Sequence, residues 1–514
     1  MKINDHISRS RFWVRKSNRI LYFLILAMPF GYFLFWWCFK IPQEPGLHGD
    51  EAWIGLRAID YLKSKPYDLD GMNKYTGNLQ SIFSSWSMKF FGKGVAQLRL
   101  PGILFNLIAL GFISYLCKML NGRKLFIIFS LILAQFVFCL EMPRVAWEIN
   151  TFSFLFSVLM LLSFYKTAST IQPVVMHIVI FFLLCLLASY NHILLSCLPV
   201  SLFLGLFFWS IANQSLKYER TLILTAMSIT NMGILIGLRF GDLEFLSILI
   251  VLCSIIFLEI IYLDKLLAIN LSFILSYPRS ISTIGCIACL TLFTIFHGTS
   301  FLELVTNCKQ LLHFFSYKCS TVEKIILYAT GGLLFIYFVK HLILDAFVQK
   351  HICSLIIIAY AGLLNIYTIE NSFRYYVVLL LLVALYLSWK ISIAVKEHRL
   401  LLISLMTSLV VTNFLVYNIY SDDCVVRKPV RFKMGNGKPE TSAHFLSVKP
   451  LIQRLKKEQI LVIEAGNDQF FIDKPLRFYF IMNPWVFIPG KVARVEYDYH
   501  TNTQGNGFII FTRP

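Results

Sequence analysis

The sequence predicts an all-α polytopic membrane protein of about 13 spans, with interfacial helices in its first outer loop and a small C-terminal α/β domain. Three observations carry this expectation. Of 514 residues, 57% are hydrophobic and only 15% charged, too apolar a balance for a soluble chain of this length. Apolar runs of about 20 residues, enough to cross a bilayer, recur along the chain. The loops between them are alternately basic, which accounts for much of the net charge of +19 without a nucleic-acid partner.

Residues 1–19 form a basic leader with Arg9, Arg11, Arg15, Lys16 and Arg19. The run Ile20–Phe39 that follows is long and has no small-residue cleavage site, so it reads as an uncleaved signal anchor. Further spans are expected at Leu100–Leu120, Leu125–Glu141, Thr151–Lys166, Val174–Ser189, Ile193–Ala212, Leu222–Arg239 and Phe245–Leu263. The series continues with Ile281–His297, Ile325–Leu344, Ile352–Thr368, Tyr375–Ile391 and Leu400–Tyr420. With a cytoplasmic leader, alternate loops should be basic. They carry Lys118/Arg123/Lys124, Lys166, Lys217/Arg220, Lys265/Arg279, Lys340/Lys350 and Lys390/Lys396/Arg399. This pattern predicts a transmembrane unit over residues 20–420 and an odd number of spans, which puts the tail, 421–514, on the far side with the first loop.

The first outer loop, 40–99, is too long for a plain connection. Within it Leu79, Ile82, Phe83, Trp86 and Phe90 recur at helical spacing opposite Gln80, Ser81, Ser84, Ser85 and Ser87, predicting an interfacial helix. Glu51 to Lys63 is a weaker candidate of the same kind. In the tail, ILVIEAG and GFIIFTRP read as buried strands, SVKPLIQRLKKEQ as a helix, and GNGKP and NTQGNG as turns. Most cysteines fall inside spans as small apolar residues. Cys308 and Cys319 share one outer loop, where they are a disulfide or two separate thiols.

Asp50 and Glu51 stand just outside the first span, a position that suits a helix N-terminus as well as a catalytic carboxylate. Other polar residues then recur at span ends on the same side. Tyr75-x-Gly77 leads the interfacial helix, which ends in Phe91-Gly92, and Arg99-Leu100-Pro101 opens the second span. Arg144, Trp147 and Glu148 join the third and fourth spans, His192 sits in the turn between the fifth and sixth, and Arg374-Tyr375 comes late. Each motif alone is weak, and their order and common placement carry the signal. In that order the chain resembles the GT-C superfamily of membrane glycosyltransferases, in the branch of the protein O-mannosyltransferases and bacterial aminoarabinose transferases. In span number and outer tail it also resembles the phage-type enzymes that add glucose to O-antigen.

The resemblance implies an inverting transferase in a bacterial inner membrane, N-terminus cytoplasmic and C-terminus periplasmic. It would move a sugar, a hexose such as glucose, from a polyprenyl-phosphate donor to a hydroxyl. The acceptor would be a periplasmic glycan, lipid or protein such as lipopolysaccharide, and partners that make and flip the donor are implied. A phosphate leaving group needs no general acid, so the chemistry requires one carboxylate base and positive charge on the phosphate. Asp50 is the expected base, with Glu51 orienting it or serving as a second group in the site. Arg57, seven residues on, would return to the same helix face and keep Asp50 ionised. Arg57, Arg99, Arg144, His192, Arg374 and Tyr375 are candidates to hold the phosphate. Each arginine alone is also consistent with snorkelling at a span end. His48, Lys74, Tyr75, Trp147 and Glu148 are candidate substrate contacts, and Glu148 can instead pair with Arg144 four residues earlier. No cofactor is assigned. His48, Asp50 and Glu51 offer donors to a divalent cation, but adjacent carboxylates diverge on a helix.

The competing class is a transporter or flippase for a lipid-linked glycan, which would place ionisable residues midway along its spans. Here charge collects at span ends, with Glu259 the main exception. A glycan polymerase or ligase would concentrate its arginines in large late loops, whereas this chain places its motifs early.

Overall fold

The computed structural model describes residues 25–41, 47–67, 71–73, 75–169, 175–212, 278–307, 320–366, 373–393 and 399–421, and in the tail 445–446, 460–464, 474–475, 477–478, 496–501 and 507–512. The expected spans Leu222–Arg239 and Phe245–Leu263, with Glu259, Cys308, Cys319 and the tail helix, lie outside these residues. Among those described, five helices are long and apolar enough to cross a membrane, or six with a bent pair counted as one span; shorter apolar helices accompany them.

Helix α1 (Ile25–Cys38) leads through the two-residue strand β1 (Leu47–His48) into α2 (Gly49–Leu62) and α3 (Leu79–Phe91). The interfacial helix α3 is present with its faces assigned by the protein. Gln80, Ser81, Ser84, Ser85 and Ser87 are buried, while Trp86, Phe90 and Phe91 are exposed. The serines can pack inward because Ser84 Oγ and Gln80 Nε2 both donate to the Leu98 carbonyl, at 3.1 and 3.4 Å. The aromatic face is left for lipid. Gly92, at φ 85°, ends the helix in the left-handed region that glycine tolerates.

Helix α4 (Val95–Asn121) begins five residues before Leu100, so Pro101 lies inside it and does not open it. Its Leu104, Ile108, Phe112 and Tyr115 form an exposed stripe at helical spacing, suited to lipid. The expected third span, Leu125–Glu141, is broken. It consists of α5 (Arg123–Leu133) and α6 (Val137–Glu141), which meet at 96°. Backbone groups freed by a break inside a membrane must find partners. Asn307 supplies two: its Nδ2 donates to the Gln135 carbonyl at 2.6 Å and its Oδ1 accepts from Val137 N at 3.1 Å. Gln135 Nε2 in turn reaches the Leu405 carbonyl at 2.9 Å.

Then come α7 (Glu148–Ser169), α8 (Val175–Asn191), α9 (Cys197–Ala212), α10 (Pro278–Val305) and α11 (Thr321–Ile343). The last three are α12 (Ile352–Leu363), α13 (Val377–Ile393) and α14 (Arg399–Ser421). Helix α13 is buried on every face from Val377 to Ser388 and forms the axis of the bundle. Asn106 fastens α4 to the start of α7, donating through Nδ2 to the carbonyls of Asn150 and Thr151 at 3.0 and 3.3 Å.

The tail contains β2 (Phe445–Leu446), β3 (Ile460–Glu464), β4 (Glu496–Thr501) and β5 (Gly507–Thr512). The expected strands correspond to β3 and β5. Strand β4, which the sequence reading missed, completes an antiparallel sheet of order β3-β5-β4. Strand β2 leaves the tail and pairs antiparallel with β1, Phe445 opposite His48. Phe478 fills a second, small core with Leu47, Ala52, Ile54, Ala58 and Leu98.

Candidate active site

The site grows from the N-terminus of α2. His48, extended at φ −80° and ψ 151°, caps the helix by accepting the Asp50 N–H on Nδ1 at 3.1 Å. Asp50 and Glu51 then occupy the first turn, where carboxylates meet the positive end of the helix dipole. One residue of helix turns their side chains about 100° apart, and each finds its own arginine. Glu51 is fully buried and clasped by Arg99 through two parallel bonds, Nε to Oε1 at 2.7 Å and Nη2 to Oε2 at 2.9 Å. Its Oε1 also accepts from Ala146 N at 3.0 Å, and Arg99 Nη1 donates to the Ile41 carbonyl at 2.9 Å. This knot ties α2, α4, the end of the first span and the loop before α7 together. Asp50 Oδ2 instead accepts from Arg374 Nη1 at 2.9 Å, across 324 residues of chain. That second pair is not sealed: the Arg374 side chain is 18% exposed.

Around the Asp50–Arg374 pair runs a wall of rings. The Arg374 guanidinium lies over Trp147 at 4.8 Å and Tyr375 at 5.2 Å. His48 meets Trp147 edge-on at 4.8 Å; His192 lies 5.7 Å from Tyr375 and 5.5 Å from Tyr75. Buried Glu148 is within electrostatic reach of both Asp50 and Arg374. The loop carrying Tyr75 is held by backbone pairing: Thr76 bridges His192, Gly77 N donates to the Asn191 carbonyl at 2.9 Å, and Ile193 N to the Tyr75 carbonyl at 3.0 Å. A Cβ at Gly77 would overlap the Tyr190 carbonyl, which gives the glycine of the Tyr-x-Gly motif a steric reason. His192 caps the turn after α8, accepting from Leu194 N on Nδ1 at 3.2 Å.

The structure therefore brings His48, Asp50, Tyr75, Trp147, Glu148, His192, Arg374 and Tyr375 to one end of the bundle. It places three other candidates differently. Arg57 donates through Nε to the Tyr61 hydroxyl at 3.2 Å, and the cation found on Asp50 is Arg374. Burial pushes the Tyr61 phenol above its ordinary value against the opposing pull of Arg57. Arg144 is fully buried, donates to the Phe39 carbonyl at 2.5 Å and lies 3.8 Å from Glu141, which takes the place expected for Glu148. Arg99 is spent on Glu51. Lys74 lies outside the described residues. Sequence reading gave no role to Thr76, Asn78 or Glu141. Asn78 donates to the Tyr61 hydroxyl, and its only signal was a place just before α3. Among the described residues no three His, Cys, Asp or Glu side chains are grouped as a metal site would be.

No family model matches the sequence, and no curated protein does. Solved structures do match. The likeness is one of fold. The apo oligosaccharyltransferase of Archaeoglobus fulgidus superposes at a TM-score of 0.51 with 11% identity, over 93% of this chain and 62% of that one. The chain thus spans less than two thirds of that enzyme's length. ArnT from Cupriavidus metallidurans bound to undecaprenyl phosphate gives a TM-score of 0.47 with 11% identity, over 94% of this chain and 97% of that one.

Proposed function

We propose that this chain is an inverting membrane glycosyltransferase that moves a sugar from a polyprenyl phosphate to a hydroxyl, with Asp50 as base and Arg374 as phosphate ligand. One observation carries the reading: of two adjacent carboxylates, Glu51 is locked on Arg99, whereas Asp50 is paired with the partly exposed Arg374 inside a wall of rings. Arg374 Nε adds to it, a buried donor with no hydrogen-bond partner among the described residues. Such a group favours an anionic ligand, since a buried unpaired N–H costs about 1–3 kcal/mol. The likeness in fold to the archaeal oligosaccharyltransferase supports the reaction class.

In the resting pair the two charges satisfy each other. An arriving phosphate competes for the guanidinium fork, and as Arg374 turns to it Asp50 Oδ2 becomes an available base. The acceptor hydroxyl attacks the anomeric carbon from the face opposite the phosphate and its proton passes to Asp50. The anomeric C–O bond to phosphate breaks as the new one forms. The electron pair leaves on the phosphate oxygen, where Arg374 meets the charge. One base and no covalent nucleophile give inversion. Trp147, His192 and Tyr375 supply flat surfaces beside the pair on which a sugar ring can lie.

We place the site on the periplasmic side of a bacterial inner membrane, because the opposite helix ends carry Lys118, Lys166, Lys350 and Lys390. In the narrowest form of the reading the sugar is a hexose such as glucose and the acceptor an O-antigen glycan, with a donor synthase and flippase upstream. Purified protein, a panel of polyprenyl-phosphate sugars and defined acceptors test this by product formation. Asp50→Asn should lower kcat by about 100-fold or more with donor binding retained. Full activity in that variant would remove Asp50 as the base.

A further inference from the structure

At the end of the bundle away from Asp50 lies a cavity of about 430 Å³ that the proposed reaction does not use. Its wall comes from five helices, through Leu116 of α4, Phe164 of α7, Leu202 of α9, Ile356 of α12 and Leu385 and Trp389 of α13. The floor is buried, with Leu116, Leu202, Ile356 and Leu385 all under one tenth exposed, while Leu120 at the mouth is 41% exposed. An apolar recess opening between helix ends suits a hydrocarbon chain.

Its rim is cationic. Lys166 follows the lining Tyr165, with its Nζ 5.9 Å from the Tyr115 ring. Lys350 is buried beside the lining His351 and donates to Thr283 Oγ1 at 3.0 Å. Lys390 follows Trp389, 4.8 Å over its ring, and His351 stacks on that ring at 4.6 Å. Among the described residues at this end Asp345 is the sole carboxylate, and it is already taken. It accepts from Lys390 Nζ at 2.8 Å and from the Tyr386 hydroxyl at 2.7 Å. Positive charge around an apolar recess at helix ends is complementary to a chain that carries an anionic head.

We propose that this cavity holds one acyl chain of an anionic phospholipid drawn from the leaflet opposite the candidate active site, its phosphodiester at the lysine rim. Neutral phospholipids share the chain but not the net charge, and the rim selects between them. The lipid would brace the inner ends of α4, α7, α12 and α13 at the helix axis of the bundle, far from the carboxylate pair.

Delipidated full-length protein in detergent tests this with dioleoyl phosphatidylglycerol, dioleoyl phosphatidylcholine and free glycerol phosphate. Phosphatidylglycerol should raise Tm by about 2 °C or more and be retained in native mass spectra at one equivalent, with phosphatidylcholine at least about 10-fold weaker. Leu385→Trp and Ile356→Trp, which fill the recess, should lose the shift, and Lys166→Gln should reduce the preference between heads. If a filled variant does not fold, the wild-type lipid comparison still decides. Equal shifts from both lipids would overturn the proposal. So would phosphatidylglycerol retention undiminished in folded filled variants, or the full effect from glycerol phosphate alone.

Discussion

Two arginines salt-bridged to adjacent carboxylates can have opposite consequences when removed. Arg99 and Glu51 are both wholly inside the protein, so deleting either strands a charge in a low dielectric at a cost of about 3–5 kcal/mol. Glu51→Ala and Arg99→Ala are therefore expected to lower Tm sharply and reduce the yield of folded protein, measured by fluorescence-detected size exclusion on heating. Arg374 is different because water reaches it. Arg374→Ala should leave Tm within a few degrees of wild type and weaken donor binding at least about 10-fold, read by titration with a polyprenyl-phosphate sugar. Arg374→Lys keeps the charge but loses the fork, and should recover binding only in part. Unchanged donor affinity in Arg374→Ala would discard it as the phosphate ligand.

At the scale of the element, the break between α5 and α6 is the feature whose maintenance is most exacting. A span that turns through 96° exposes peptide groups where neither water nor helix serves them. Asn307 covers one donor and one acceptor from outside the break. Asn307→Leu, similar in volume, should destabilise by about 1–3 kcal/mol through the unpaired Val137 N–H and Gln135 carbonyl. Asn307→Asp keeps the acceptor but sets a carboxylate against the Gln135 carbonyl in a buried site, and should cost at least as much. Thermal melts of the two variants check this, and a neutral Asn307→Leu would mean that the bend is held by packing alone. The turn matters to the site because α6 runs directly into Arg144 and Trp147.

At the scale of the whole molecule, the tail returns to the start of the chain. Phe445 pairs with His48, and Phe478 packs where a Cβ at Gly55 would overlap its ring. The residue that caps α2 is thus held by a strand almost 400 residues later. Phe478→Ala should lower kcat with a smaller effect on donor affinity, because it loosens the seating of α2 and leaves Arg374 in place. Gly55→Val, which expels the ring from the other side, should do the same, and normal kcat in both would detach the tail from catalysis. The large features of this architecture are written in local sequence. Hydropathy and the basic loops mark most helices, the serine and aromatic stripes mark α3, and the glycine after Phe91 marks its end. Motif order also draws Asp50, Trp147, His192 and Arg374 to the same side of the expected membrane. What local sequence leaves open is every choice between equivalent partners. Nothing near Glu51 says that it takes Arg99 while Asp50 takes Arg374, that Arg144 serves Phe39 and Glu141, or that Arg57 turns to Tyr61. Those pairings follow from how the helices pack: helical periodicity sets which way a side chain points, and only the assembled bundle sets what it meets there.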